Sequence, residues 1–328
     1  MKKILKYLYE YKSLSRLQAK DVLTNISNGL YNATEISSFI TVYLMRSITI
    51  DELQGFKDAL MELCLPVNLD GYQLLDIVGT GGDGKNTFNI STLSSFIVAG
   101  TGTKIAKHGN YAASSVSGSS NLMEQLGYRF KSREDELKAE LDKAGICFLH
   151  APLFHPALKA VGAIRKDLGL RKFFNMLGPM VNPASPQYQL VGVYNLEMAR
   201  IYNYMLQQGD TAFTIIHSLD GYDEISLTGD TKIITNEGER ILSAEALGKR
   251  SVSASDIAGG STVEEAAKIF LKIIKGEGSW AQNAVVIANA AMGLHCTGKY
   301  KDFDACYQLA VESLESGAAY NSLKTLIG

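Results

Sequence analysis

The sequence has few of the features that mark disulfide-rich, membrane or nucleic-acid-binding proteins. Its four cysteines, Cys64, Cys147, Cys296 and Cys306, lie far apart and form no C-x-x-C pair. This spacing excludes a zinc knuckle and a disulfide framework and favours a reducing cytoplasm. The formal net charge is only -2, so the chain has no general attraction for a nucleic-acid backbone.

Long apolar runs are also absent. No stretch reaches the roughly 18 apolar residues of a membrane span, and we expect none. The N-terminus MKKILKYLYEYK has Lys6, Glu10 and Lys12 among its apolar residues, which breaks the core that a signal peptide needs. With 328 residues, 46% apolar and 20% charged, the chain is predicted to form one large or two ordinary globular domains.

The first part of the chain is predicted to be all-helical. The segment LYNATEISSFITVYLMRSI has apolar residues at three- and four-residue spacing, which is typical of a helix with one buried face. Thr49 and Glu52 form a capping-box pattern before the next helical segment, and Pro66 ends it.

From Gln73 onward, short apolar strands alternate with helices, the pattern of an α/β domain. The predicted strands are LLDIV, KIAKH, CFLH, QLVGVY and FTIIH. Residues 156–186 begin with a helical stretch that is followed by three prolines, and this segment interrupts the alternation of strands and helices. We therefore expect the chain to return to the helical domain or to cross between the domains here. Two later helices are predicted, one in STVEEAAKIFLKIIKG, capped by Ser261 or Thr262 and ended by Gly276, and one in SWAQNAVVIANAAMGLHCTG.

The segment DIVGTGGDGKNTFNIST satisfies two nucleotide-binding patterns at once. Gly79, Gly81 and Gly84 spell G-x-G-x-x-G, and the same stretch spells G-x-x-x-x-G-K. A dinucleotide site needs an acidic residue about 20 positions further on, where this chain has Lys104, and a P-loop needs Ser or Thr where this chain has Asn86. Neither pattern is therefore accepted.

What remains is a glycine loop before a helix whose first turn is predicted to be capped by Ser91 or Thr92. Backbone N–H groups at such a place suit an anion. Asp83 would repel a bare phosphate, so a sugar phosphate with magnesium fits better; a tight turn without a ligand is the alternative. A second segment, KHGNYAASSVSGSS, combines Lys107 with clustered serines, which suits a diphosphate, although a Ser-rich turn is more often a solvated loop.

These segments, with HPA, R..LG.R..FN.LGP..NP and DE further on, resemble the motif series of the anthranilate phosphoribosyltransferase family. The six motifs occur in family order, and the resemblance covers essentially the whole chain. It implies transfer of the phosphoribosyl group of phosphoribosyl pyrophosphate (PRPP) to the amine of anthranilate, giving N-(5-phosphoribosyl)anthranilate and pyrophosphate, in L-tryptophan biosynthesis. It also implies a homodimer that binds neither nucleic acid nor a membrane.

The resemblance implies three sets of site residues. The PRPP set is Gly79, Gly82, Asp83, Thr87, Asn89, Ser91, Thr92, Lys107, Ser115 and Ser119. The anthranilate set is Gly79, His108, Asn110, His155, Arg165, Gly178 and Pro179, with Arg165 on the carboxylate. The metal set is Ser91, Asp223 and Glu224, for Mg²⁺, with two ions held partly by PRPP. Lys107 is expected to act electrostatically, and no acid or base is assigned because an arylamine is already neutral and nucleophilic.

The implied fold class is α/β, with a small all-helical N-terminal domain and a larger α/β domain whose central, mostly parallel sheet is flanked by helices. The helical domain comprises residues 1–69 with a returning segment of about 160–188, and the PRPP-binding domain comprises 70–159 and 189–328. We expect the active site in the cleft between them.

The chain departs from the family pattern at three positions. Tyr111 stands where the family has Arg, Asn121 where it has Asp, and Lys172 where it has Thr. An Arg at position 111 would be a planar, permanently charged donor, and its replacement by Tyr111 is expected to affect substrate affinity there.

Two other functions would be compatible with the same fold. A pyrimidine-nucleoside phosphorylase would carry a loop like KHSGR in place of KHGN and would lack the R..LG.R..FN.LGP series. A non-catalytic, nucleic-acid-binding relative would be expected to lose the Asp223–Glu224 pair and gain a basic face, whereas both acids are present.

Overall fold

The computed structural model describes residues 1–112, 115–161, 164, 176–248, 250–300 and 302–328. The chain divides into two compact units. The first comprises Met1–Val67 and Ala151–Pro183, and the second comprises Asn68–His150 and Ala184–Gly328. The second segment of the helical unit starts earlier than the expected 160, because the strand that ends at His150 is followed directly by a helix.

The first unit is helical. Its helices are α1 (Lys2–Tyr9), α2 (Arg16–Ser27), α3 (Ala33–Met45), α4 (Ile50–Glu62), α8 (Ala151–Phe154) and α9 (Pro156–Ala160), with a 3₁₀ turn at Gly178–Met180. The capping box of Thr49 and Glu52 at the start of α4 is confirmed. Glu52 is fully buried and also accepts hydrogen bonds from the Leu14 N–H, at 2.9 Å, and from Arg46, at 2.6 Å, so one carboxylate ties three segments of this unit together.

The second unit contains a seven-stranded sheet of order β3-β2-β1-β4-β5-β6-β7. The strands are β1 (Leu74–Gly79), β2 (Lys104–Gly109), β3 (Ile146–His150), β4 (Tyr188–Gly192), β5 (Ala212–Ser218), β6 (Thr231–Thr235) and β7 (Gly238–Leu242). The first five are parallel, and β6 and β7 are antiparallel additions. The predicted fold class is confirmed; the strands β6 and β7 were missed because TKIIT and GERIL are short and half polar.

Helices flank this sheet and bury its apolar side chains. They are α5 (Ile90–Gly100), α6 (Ser119–Gln125), α7 (Glu134–Ala144), α10 (Leu196–Leu206), α11 (Ala244–Gly248), α12 (Val263–Ile274), α13 (Trp280–Cys296), α14 (Phe303–Glu315) and α15 (Ala318–Ile327). The most buried are α5 and α13, whose side chains share one core with β1. The predicted cap of α12 is Thr262, and Gly276 follows its end with a φ of 78°.

The strand order indicates where a ligand can bind at the edge of the sheet. The chain runs from β1 to β2 and β3 on one side and returns to β4 and β5 on the other. In open parallel sheets such a reversal leaves a crevice at the carboxyl ends of the two central strands. Gly79 at the end of β1 pairs in register with Gly192 at the end of β4.

None of the helices in the described part of the chain has the length and apolar character needed to cross a membrane. All four cysteines are free.

Candidate active site at the carboxyl edge of the sheet

The glycine loop follows β1 directly. Gly81, Gly82 and Gly84 have φ values of 64°, 82° and 71°, a conformation that glycine adopts without strain. The next helix, α5, begins only at Ile90, so Gly84 lies outside it and the dinucleotide pattern is excluded. The Asp83 carboxylate accepts a hydrogen bond from the Lys85 N–H at 2.9 Å, which fixes its orientation in the loop.

The loop after β5 brings the acidic pair to the glycine loop. The Gly81 N–H donates to Asp223 Oδ2 at 2.7 Å, across 142 residues of sequence. The Ser91 N–H donates to Glu224 Oε1 at 3.0 Å, across 133 residues. The three residues predicted for magnesium, Ser91, Asp223 and Glu224, are thus near one another at the start of α5.

The start of α5 differs from the prediction. Its cap is Asn89, which makes no side-chain cap hydrogen bond, so the expected caps Ser91 and Thr92 are wrong. The physical reason is that Glu224 accepts the Ser91 N–H and does the work of a capping side chain. The Asn89 side chain donates instead to the Ser117 carbonyl at 2.9 Å.

The carboxyl groups at this edge repel one another. Burial, and next the negative charge of Asp83, raise the pKa of Asp223 to about 7. Burial, followed by the charges of Asp223 and Asp83, also raises the pKa of Glu224. A divalent cation among these oxygens would favour their charged forms, and hard oxygen ligands are those Mg²⁺ prefers. The residues present therefore fit this metal.

Across the described ranges, no group of three or more His, Cys, Asp or Glu side chains could hold a metal ion on its own. A magnesium ion here would need further oxygens from its ligand, as is usual for Mg²⁺ bound with substrate phosphates.

Lys107 is buried beneath this edge. Its side chain is 2% exposed, and Nζ donates to the Ile77 carbonyl at 2.7 Å. Burial lowers the pKa of Lys107 to about 8, against the opposing charges of Asp76 and Glu224. The ammonium group therefore interacts with the charges of Asp76 and Glu224. Sequence reasoning missed Asp76, although a carboxylate within the apolar strand LLDIV was a usable signal.

The Ser-rich segment is held by side-chain amides. Asn121 Oδ1 accepts hydrogen bonds from the Ala112 N–H, at 2.9 Å, and from the Gly118 N–H, at 3.1 Å. These two bonds close the segment at the position where the family has Asp; an amide oxygen accepts them as a carboxylate would. The Ser119 hydroxyl donates to the Asn110 carbonyl at 3.4 Å, and Ser115 is exposed.

The Tyr111 side chain contacts protein groups although it is partly exposed to solvent. Its hydroxyl donates to Glu124 Oε1 at 2.7 Å, and its ring meets His150 edge-on at 4.9 Å. The ring is still 42% exposed. The tyrosine therefore has its own partners at the site of the missing arginine.

The remaining PRPP candidates differ in accessibility. Gly82 is exposed, whereas Thr92 is 1% exposed within α5. Thr87 forms an isolated bridge with Ala258, and the neighbouring Asn86 donates from Nδ2 to the Gly260 carbonyl at 2.6 Å. The segment after the 3₁₀ turn Ala254–Ile257 therefore supports this loop, which sequence reasoning did not predict.

The anthranilate candidates are divided between the units. Gly79, His108 and Asn110 belong to the second unit, and His155, Gly178 and Pro179 to the first. His155 is fully buried and bonds through Nε2 to the Val181 carbonyl at 2.7 Å; burial lowers its pKa. The predicted Arg165, like the variant position Lys172, lies outside the described residues.

Two family models match the chain. Residues 71–320 match the α/β domain of a glycosyl transferase family, and residues 2–64 match its helical bundle domain. The chain is 56% identical to the anthranilate phosphoribosyltransferase of Flavobacterium psychrophilum over 99% of this chain and 98% of that protein. It is 52% identical to that of Bacteroides fragilis over 100% and 99%.

Solved structures agree with these relatives. The structure of the Thermus thermophilus anthranilate phosphoribosyltransferase superposes with a TM-score of 0.90 at 31% identity, covering 98% of both chains. That of the Saccharomyces cerevisiae enzyme in complex with PRPP and Mg superposes with a TM-score of 0.87 at 28% identity, covering 96% of this chain and 93% of the yeast chain.

Proposed function

Because the chain belongs to the anthranilate phosphoribosyltransferase family, we propose the reaction that it carries out and the residues that serve it. It transfers the phosphoribosyl group of PRPP to the amine of anthranilate, giving N-(5-phosphoribosyl)anthranilate and pyrophosphate, in L-tryptophan biosynthesis. It is a magnesium-dependent glycosyltransferase, since the yeast relative was solved with PRPP and Mg.

One observation supports the site assignment most strongly. The hydrogen bonds from Gly81 to Asp223 and from Ser91 to Glu224 assemble the glycine loop, the start of α5 and the acidic pair at one edge of the sheet. The glycine loop and the Ser91 hydroxyl, which suit phosphates, thus lie beside carboxylates for a cation. We assign PRPP to this edge, with the residues that the family resemblance gives.

The metal assignment is Ser91, Asp223 and Glu224, with two ions sharing ligands with PRPP. Bound there, Mg²⁺ would neutralise negative charge on the departing pyrophosphate. The Glu224 carboxylate accepts a hydrogen bond from the Ser91 N–H and interacts with the charge of Lys107, which holds it at the start of α5.

The chain's own contribution is positioning and electrostatics. Breaking the bond between the anomeric carbon and pyrophosphate places positive charge on the ribose and negative charge on the leaving group. Fixed N–H dipoles of the glycine loop and the Lys107 ammonium stabilise the negative charge without reorganising. The neutral arylamine attacks without a strong base, so holding the two substrates in line supplies much of the acceleration.

Anthranilate is a flat anion that calls for a cation, hydrogen-bond donors and apolar walls, and the family resemblance supplies residues of these kinds. Asn110 offers an exposed amide, Pro179 an apolar wall, and Arg165 a cation for the carboxylate. Buried His155 contributes through its hold on the Val181 carbonyl, which fixes the backbone beside the turn that contains Gly178 and Pro179.

A homodimer remains part of the proposal. On the first unit, Leu17, Leu44 and Met45 are 72%, 41% and 82% exposed. We propose that a second copy of the chain covers these exposed apolar side chains. Sedimentation velocity would distinguish a dimer from a monomer.

The reaction itself can be tested by its stoichiometry. Purified protein with PRPP, Mg²⁺ and anthranilate is expected to release one pyrophosphate for each phosphoribosylated anthranilate detected by mass spectrometry. Release of pyrophosphate without that product would mean that water or another acceptor takes the ribosyl group. Benzoate, which lacks the amine, is the matched control and is expected to give no product.

A further inference from the structure

A polar side chain lies in the middle of the most buried helix of the second unit. Asn289 is 2% exposed in α13, where its neighbours in sequence, Ala288 and Ala290, are fully buried. Asparagine is a poor helix former, and its amide loses hydrogen bonds to water when buried. A buried amide in an apolar helix is therefore expected to have a specific partner.

That partner is the backbone of the residue after the acidic pair. Asn289 Oδ1 accepts from the Ile225 N–H at 3.0 Å, and Nδ2 donates to the Ile225 carbonyl at 2.8 Å. The second amide hydrogen of Nδ2 goes to the Val285 carbonyl of the same helix, at 2.9 Å. The side chain thus satisfies both polar backbone groups of Ile225 and is itself fixed by its own helix.

The residues on either side of Ile225 are held by a second side chain. The Ser218 hydroxyl donates to the Glu224 carbonyl at 2.6 Å and accepts from the Ser226 N–H at 3.2 Å. Ser218 ends β5, so the acidic loop is fixed to the sheet on one side and to α13 on the other. Ile225 itself is fully buried, so without these bonds its backbone groups would lack both a protein partner and water.

We infer that Asn289 is a positioning residue for magnesium binding: it holds the backbone at Ile225 so that Asp223 and Glu224 present their carboxylates at the carboxyl edge of the sheet. This inference rests on the proposed function, because it takes the acidic pair as the metal ligands. Residues that orient metal ligands without touching the metal typically alter metal affinity or activity by about 10- to 100-fold when replaced.

The test compares two replacements with a control on the same helix. Asn289→Leu keeps the branching at Cγ and removes the amide, and Asn289→Ala truncates the side chain at Cβ. Leu294→Ala, also fully buried in α13, is the control for a general loss of stability. For each protein, the melting temperature, the Mg²⁺ concentration for half-maximal rate and the calorimetric binding of Mg²⁺ with PRPP would be measured.

Both Asn289 variants are expected to raise the half-maximal Mg²⁺ concentration by about tenfold or more, whereas Leu294→Ala lowers the melting temperature and leaves that concentration within about twofold. Equal shifts in all three variants, or none in folded Asn289 variants, would overturn the inference. Inactive wild type would count against the proposed function instead, and calorimetry would then decide on Asn289.

Hydrogen exchange on the wild-type protein gives an answer that does not require a folded variant. The amide of Ile225, whose acceptor is Asn289, is expected to exchange as slowly as those of residues 285–292 in α13. Rapid exchange in the loop beside slow exchange in the helix would show that Asn289 does not hold it.

Discussion

The end of β4 lies directly against the acidic loop: a Cβ atom on Gly192 would fall 1.6 Å from the carbonyl oxygen of Asp223. No side chain fits at that separation without movement of the backbone. Gly79, the partner of Gly192 in register, is under a related constraint, because a Cβ there would lie 2.5 Å from Asp223 Oδ2. Paired glycines on β1 and β4 therefore allow the acidic loop to reach the sheet edge.

Gly192→Ala is expected to displace Asp223 and to lower kcat/KM for PRPP by about 100-fold, the cost of misplacing a functional group by about 1 Å. Steady-state kinetics with a circular-dichroism melt would measure this. Gly209→Ala is the control, because the nearest atom to a Cβ there is 3.9 Å away. Equal activity of the two folded variants would show that the close approach has no functional weight.

Replacing the acidic pair should remove the dependence on magnesium. Asp223→Asn with Glu224→Gln keeps the shape but loses the charges, and kcat/KM is expected to fall by at least about 100-fold, in line with losses of transition-state electrostatics. The activity that remains should no longer rise with added Mg²⁺. Asp230→Asn, an exposed acid nearby, serves as control. Unchanged magnesium-dependent turnover in the double variant would make the metal assignment wrong.

Lys107 predicts a pH dependence. Its pKa is lowered to about 8 by burial, so its ammonium is present below that pH and is lost above it. We expect kcat/KM for PRPP to fall as pH rises through about 8, because this quantity reports on the free enzyme. Lys107→Met should have a lower kcat/KM for PRPP at every pH and should lack the fall above pH 8. If both proteins show the same fall, a group other than Lys107 causes it.

The lowered pKa of Lys107 also makes the stability of the fold depend on pH. Between about 8 and the ordinary value of 10.5, the unfolded chain binds the proton that folded Lys107 has released, so this residue makes the fold more stable as pH rises through that window. Below pH 8 both states carry the charge, and the cost of burying it is fully present.

Tyr111 is expected to be a mild variation. Tyr111→Phe removes the hydrogen bond to Glu124, which lies at an exposed position, and one such bond contributes about 0.5–1.5 kcal/mol. We expect the melting temperature to fall slightly and kcat/KM for both substrates to stay within about threefold. A large rise in the KM for anthranilate alone would instead place the Tyr111 hydroxyl in the acceptor pocket.

Local sequence signals predicted much of this fold. The capping box at Thr49, the alternation of apolar strands with helices and the glycine loop each depend on neighbouring residues, and the structure has them where the sequence puts them. The cap of α5 was mispredicted for the opposite reason. The Ser91 N–H in the first turn of this helix donates to Glu224, 133 residues away, and no local sequence pattern indicates a partner at that distance.

The site shows the same division. Motif order indicated Asp223 and Glu224, but not what holds them. The roles of Asp76 and Asn289 depend on contacts between distant segments. In the sequence, Asp76 and Asn289 are each recognisable only as a polar residue inside an apolar run, and such a pattern is compatible with many structures.

The proposed reaction can be followed by the fluorescence of anthranilate after PRPP and Mg²⁺ are added to the purified protein, with EDTA and omission of PRPP as controls. We predict a loss of fluorescence that requires both PRPP and Mg²⁺. No loss, with the protein folded and PRPP bound, would contradict it and would mean that the ribosyl acceptor is a molecule other than anthranilate.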